Sequence, residues 1–150
     1  MADNFFEVQY DKFVFKVDRN CLYHTKECWA RQEGDAVIVG ITDFLQKTAG
    51  DVAFVELPET GALLSQGGDA GIVETIKTTV TLTSPLSGDV SEINSILEDE
   101  PQLMNNDPYG AGWLFKLKPS RWEEEVRELM DAEAYLPIMK KKIEQELSKE

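Results

Sequence analysis

Cysteine and histidine are scarce: two cysteines and one histidine stand in a chain of 150 residues. Two thiols cannot make the dense disulfide scaffold of a small secreted domain. The motif Cys21-x2-His24-x3-Cys28 places three metal donors close together, and Asp18 or Glu27 could supply a fourth. It lacks the second ligand pair that zinc sites usually carry further along the chain. Two ordinary thiols and a surface histidine are the simpler reading, and no metal is expected. Basic residues are also few, 15 against 28 acids, for a net charge of −13. That excludes a protein that wraps nucleic acid, because phosphates demand a basic face. It also disfavours an anionic membrane surface. No apolar run approaches the ~20 residues of a membrane helix. The opening MADNFFEVQYDKF has neither the basic start nor the continuous apolar core of a secretory signal. A cytoplasmic, monomeric protein is expected. There is no Ser-His-Asp set, no phosphate-binding glycine loop and no dinucleotide motif, so the chain does not read as an enzyme.

The length suits one domain with a real core. Residues 5–17, FFEVQYDKFVFKV, alternate loosely as extended structure. Residues 29–41 read as strand, turn and strand, with Glu33-Gly34-Asp35 at the turn. TDFLQKTA, residues 42–49, reads as a short helix capped by Thr42 and stopped by Gly50. Short strands punctuated by Pro58, Gly61, Gly67 and Gly68 follow, which suggests a barrel or sandwich. Gly50-Asp51-Val52 and Gly88-Asp89-Val90 form a faint internal echo. EDEPQLMNNDPYGAG, 98–112, is rich in turn residues. WLFKLK, 113–118, alternates with Trp113, Phe115 and Leu117 on one face. Ser120 and Glu123 match a capping box, with Val126, Leu129 and Met130 inward. A last helix carries Met139, Ile143 and Leu147 at a spacing of four and is expected to break near Pro137. Lys140–Glu144 and Lys142–Glu146 are candidate ion pairs on it.

One residue stands out. In GIVETIKTTVTLTSPLSG, residues 71–88, Lys77 occupies the crest of a hairpin where Gly, Asn or Asp would be usual. A lone surface lysine is normally just solvated. Here β-like segments on both sides present it at a rigid tip, suited to grasp by a modifying enzyme.

The segments GDAVIVGITDFLQ, GDVAFVELPETG, VETIK, SPLSGDVSEIN, NNDPYGAGWLFKLKP and LMDAEAY resemble the H proteins of the glycine cleavage system, and lipoyl domains more broadly, from Leu22 to Tyr135. The resemblance implies a mainly β fold: a flattened barrel-sandwich of two antiparallel sheets with C-terminal helices. It implies an N-terminal extension at 1–21, a lipoyl-type domain at 22–119 and a helical segment packed on it at 120–150. It implies lipoic acid amide-linked to Lys77, with Glu74 and Gly88 serving presentation and recognition by the attaching enzyme. The partners implied are a lipoate ligase or lipoyl-synthesis enzymes, the cargo-transfer enzymes of the pathway and a dihydrolipoamide dehydrogenase. The cofactor carries the reactivity and the protein presents it.

The family parks its aminomethyl cargo against two carboxylates. At the corresponding positions this chain has Cys28 and Thr81, while Glu27 stands where the family has histidine. The expected arm-parking cleft is therefore Glu27, Cys28 and Thr81, with Cys21 nearby. A thiol and a hydroxyl suit a neutral or sulfur-bearing cargo. The sequence thus favours an H-like carrier for a sulfur-oxidation pathway, with the glycine cleavage H protein as first alternative and a lipoate relay or scaffold as second. The acidic residues Glu92, Glu98, Asp99 and Glu100 suit either steering towards basic rims or simple solubility.

Overall fold

The computed structural model describes residues 4–147. The N-terminal extended stretch is a hairpin of β1 (Phe5–Tyr10) and β2 (Phe13–Asp18), a sheet of its own. Asp11 turns it at a left-handed φ of 55°, a conformation aspartate tolerates better than most residues. β3 (Leu22–His24), β4 (Cys28–Glu33) and β5 (Ala36–Ile41) follow, the last two joined through Gly34 at φ 60°. That is the hairpin its Glu-Gly-Asp turn predicts.

Two further sheets face each other. The larger has the order β3-β4-β5-β11-β10-β7, with β7 at Leu63–Leu64, β10 at Gly88–Ile93 and β11 at Phe115–Pro119. The smaller has the order β6-β8-β9, with β6 at Val52–Glu56, β8 at Asp69–Thr75 and β9 at Thr79–Thr83. Every pairing is antiparallel. Val39, Val55, Val73, Leu82, Val90 and Leu117 come from both sheets into one core. Each such side chain contributes about 1.5–3 kcal/mol by leaving water. The barrel-sandwich expected from the resemblance is the fold observed.

A second core lies outside this one. Phe15, Val17, Tyr23, Trp29, Tyr135 and Met139 join the β1–β2 hairpin to the larger sheet and the C-terminal helix. Tyr23 and Tyr135 stack with ring centroids 4.4 Å apart. The two cores place the extra hairpin and the C-terminal helix on one side of the barrel, beside α1 (Asp43–Ala49). In α1, the Thr42 hydroxyl accepts the Leu45 N–H at 3.1 Å, and Gly50 ends the helix at φ 96°.

Two expectations fail because of tertiary contacts. Ser120 does not cap the helix that follows. Its N–H donates to the Ser87 carbonyl at 3.0 Å, which holds it to the end of the β10–β11 pairing. After the short α2 (Leu103–Asn106), α3 therefore starts at Trp122, runs only to Glu125 and has no side-chain cap. Nor does Pro137 interrupt the last helix: α4 runs unbroken over Ala132–Leu147. Asp131 caps it, with its carboxylate accepting the Ala134 N–H at 2.8 Å. Pro137 removes one helix hydrogen bond, but Tyr135, Met139 and Ile143, buried at a spacing of four, hold the helix to the second core. Neither Lys140–Glu144 nor Lys142–Glu146 forms an ion pair among the described residues.

Candidate functional site: a lysine at a hairpin tip

The β8–β9 hairpin turns through Ile76, Lys77 and Thr78 with no left-handed residue. The Thr75 hydroxyl explains how. It accepts the Lys77 N–H at 3.1 Å and the Thr78 N–H at 3.0 Å, as an Asn or Asp side chain would in a turn. The same hydroxyl donates to the Ala49 carbonyl at 2.7 Å, and the Ile76 N–H reaches the Asp51 carbonyl at 3.1 Å. The tip is thus fastened to the C-terminal end of α1 and to the start of β6. Lys77 remains exposed, its ammonium donating to the Thr48 carbonyl at 3.0 Å. An accessible primary amine on a fixed loop can be acylated, and a long group attached there can swing freely.

Beside the tip lies a groove of about 430 Å³ between α1, β9 and α4. Leu45, Thr48, Thr78, Val80, Lys142 and Glu146 are among its walls. A smaller cavity of about 170 Å³, lined in part by Lys77, shares Thr48 and Glu146 with it. A hydrocarbon arm rooted on Lys77 therefore has an adjacent, partly apolar channel in which to lie.

The other site residues are more dispersed. Glu74 is exposed on β8, opposite Thr79. Gly88 is buried in the larger sheet, where a Cβ would come within 2.2 Å of the Lys118 carbonyl oxygen. The structure thus gives Gly88 a packing reason for lacking a side chain. Thr81 is exposed on β9 and is not among the groove residues. Cys28 and Cys21 are free and buried, each 2% exposed, and neither lines the groove. Burial, then the Asp18 carboxylate, pushes the Cys21 thiol up to about 12. Burial, then Glu27, pushes Cys28 up as well. Both thiols are therefore protonated and shielded at neutral pH, the reverse of a reactive cysteine. Alkylation of the folded chain by iodoacetamide at pH 8 should leave both unmodified over hours, and both should react within minutes in denaturant. Rapid single labelling without denaturant would contradict this.

Glu27 does turn inward, by a route the strand alternation hides. It precedes β4 and takes a left-handed φ of 66°, so the β3–β4 turn delivers its side chain to the interior. Its carboxylate, 6% exposed as a residue, accepts the Thr42 hydroxyl at 2.7 Å and the Lys142 ammonium at 2.5 Å. It also accepts a short hydrogen bond from the Tyr135 hydroxyl, whose pKa is raised by burial and then by Glu27. Glu27 is thus already neutralised by Lys142 and meets the groove only through that lysine. Thr75, Tyr135, Lys142 and Glu146 complete the site, and the sequence reading assigns none of them a part in it.

Fold and site together are those of a lipoyl-carrier domain: a β-sandwich that offers a lysine from a fixed hairpin. Residues 21–142 match the family model described as glycine cleavage H-protein. The chain is 43% identical over 123 residues to the glycine cleavage system H protein of Thermus thermophilus, covering 82% of this chain and 95% of that one. It is 49% identical over 121 residues to the probable glycine cleavage system H protein of Pyrococcus abyssi, covering 79% and 90%. A crystal structure of a glycine cleavage system H protein from Mycobacterium marinum superposes with a TM-score of 0.74 at 36% identity, covering 81% of this chain and 98% of that one. The chain belongs to the glycine cleavage H-protein family, carriers of lipoic acid bound covalently to a lysine. It is a carrier subunit working with partner enzymes, and not itself a catalyst. Among the described residues no helix is long and apolar enough to cross a membrane.

Proposed function

We propose that Lys77 carries lipoic acid as an amide on Nζ, and that the arm shuttles an aminomethyl group in a cytoplasmic glycine cleavage system. The observation that carries this is the lysine itself, exposed at a hairpin tip fixed by Thr75, within the VETIK segment that resembles the family's attachment motif. A lipoate ligase or lipoyl-synthesis enzymes would attach the arm, reading the hairpin and its exposed Glu74. A decarboxylase would load it, a transferase would unload it, and a dihydrolipoamide dehydrogenase would reoxidise it. Tethering raises the effective concentration of the arm at each enzyme without tight docking.

A sulfur-oxidation role ranks second. Its remaining support is the absence of a carboxylate at positions 28 and 81. The thiol it relied on does not line the groove, and the relatives named above are glycine cleavage proteins. A relay or scaffold role ranks third. Bicarbonate–glycine exchange separates them. Protein carrying one lipoyl group, mixed with the pyridoxal-phosphate decarboxylase of a glycine cleavage system, should move labelled bicarbonate into glycine. No exchange from protein of verified mass would overturn the aminomethyl reading.

A further inference from the structure

Two parts of the described chain lie outside the family match: residues 4–20, which hold the β1–β2 hairpin, and residues 143–147, the end of α4. They meet each other beside Lys77. Tyr10, Asp11, Lys12 and Phe13 at the hairpin tip share a cavity of about 280 Å³ with Leu147. Phe13 and Leu147 also wall the cavity of about 170 Å³ that Lys77 lines, together with Lys47 and Thr48 of α1. The hairpin is firmly held in that place. Phe15 and Val17 are buried in the second core, and the Phe13 and Phe15 rings lie 5.9 Å apart. The Lys47 ammonium stands 5.7 Å over the Phe15 ring and is tied to Asp43 at 2.7 Å. The added segments are therefore a packed wall on the α1 side of the lysine. Such a wall bears on the attachment of lipoate more than on its use. A finished arm is long and can reach past it, whereas the bare amine must enter the attaching enzyme's active site on the short lysine stem.

We propose that the β1–β2 hairpin tip and Leu147 are a steric selector for the enzyme that lipoylates Lys77: they obstruct a lipoate ligase shaped to the shorter H proteins and admit one with a recess for the hairpin. This rests on the reading that Lys77 bears the arm. Phe13 and Leu147 set the selection, because they are the residues of the added segments that are apolar and share the lysine's cavity. They act by excluding the wrong partner, the repulsive half of specificity.

The test follows lipoyl attachment to the full chain by intact mass and peptide mapping, with ATP, lipoate and a lipoate ligase that modifies the Thermus thermophilus H protein to completion. That H protein is the reference substrate. The chain should show a kcat/KM about tenfold below the reference, and the double variant Phe13→Ala/Leu147→Ala should recover most of the difference. Val14→Ala should recover none of it, since Val14 is exposed and alternates to the other face of β2. Acetylation of Lys77 by a small N-hydroxysuccinimide ester, which needs no docking, should proceed at one rate in all three chains, and this separates access from unfolding. A chain that already matches the reference, or a double variant with unchanged kcat/KM, would overturn the selector and leave Lys77 lipoylation standing. A Lys77 that accepts no lipoyl group in any of the chains would overturn both.

Discussion

Replacing Lys77 by arginine should abolish lipoylation completely and take bicarbonate–glycine exchange to background. Arginine keeps the charge and length of the side chain. Its guanidinium is never deprotonated in proteins, so it offers no nucleophilic amine for amide formation. The loss should come without a loss of stability. Lys77 is exposed, and the hydrogen bonds that fix the tip use its backbone N–H and the Thr75 hydroxyl, not its ammonium. Surface changes of this kind usually move stability by less than about 0.5 kcal/mol. Intact mass, exchange rate and thermal midpoint measured on one preparation check all of this. A variant that still acquires a lipoyl group would place the attachment elsewhere.

Glu27→Ala should destabilise the fold by about 3 kcal/mol, a drop of roughly 6–12 °C in Tm for a chain of this size. The carboxylate collects three donors from two elements: Thr42 at the start of α1, and Tyr135 and Lys142 on α4. Removing it strands a tyrosine hydroxyl in the second core, where Tyr135 is 0% exposed. An unsatisfied buried polar group costs about 1–3 kcal/mol. Lys142 loses less, because its side chain is 30% exposed and can turn to water. Glu27→Gln keeps an acceptor for the hydroxyls and should cost about half as much. Thermal or urea unfolding checks the pair, and the exchange of a lipoylated sample reports separately on the site. An unchanged Tm in Glu27→Ala would mean that α4 does not depend on this carboxylate for its position.

Much of this was legible in local sequence. The strand–turn–strand at residues 29–41, the Thr42 cap and the exposed lysine all depend on neighbours a few positions away. Lys77 was conspicuous because the turn lacked Gly, Asn or Asp. Thr75 substitutes for them with its hydroxyl, a role a threonine in a β-rich run does not advertise. The walls of the groove were not legible. Glu27 meets Lys142 across 115 positions of chain, and its left-handed backbone, which no local pattern marks, turns it inward. Cys28 looked like a cleft residue because its position matched one. Its burial follows from the packing of β4 between β3 and β5, which the matched motif does not encode. Pro137 predicts a break because helix propensity is local, whereas the packing that carries α4 past it is not.

The most direct test of the central claim is peptide mapping by mass spectrometry after incubation with a lipoate ligase, ATP and lipoate. The account predicts one lipoyl group per chain, wholly on the peptide containing Lys77. An unmodified chain, or a lipoyl group on any other lysine, would contradict it.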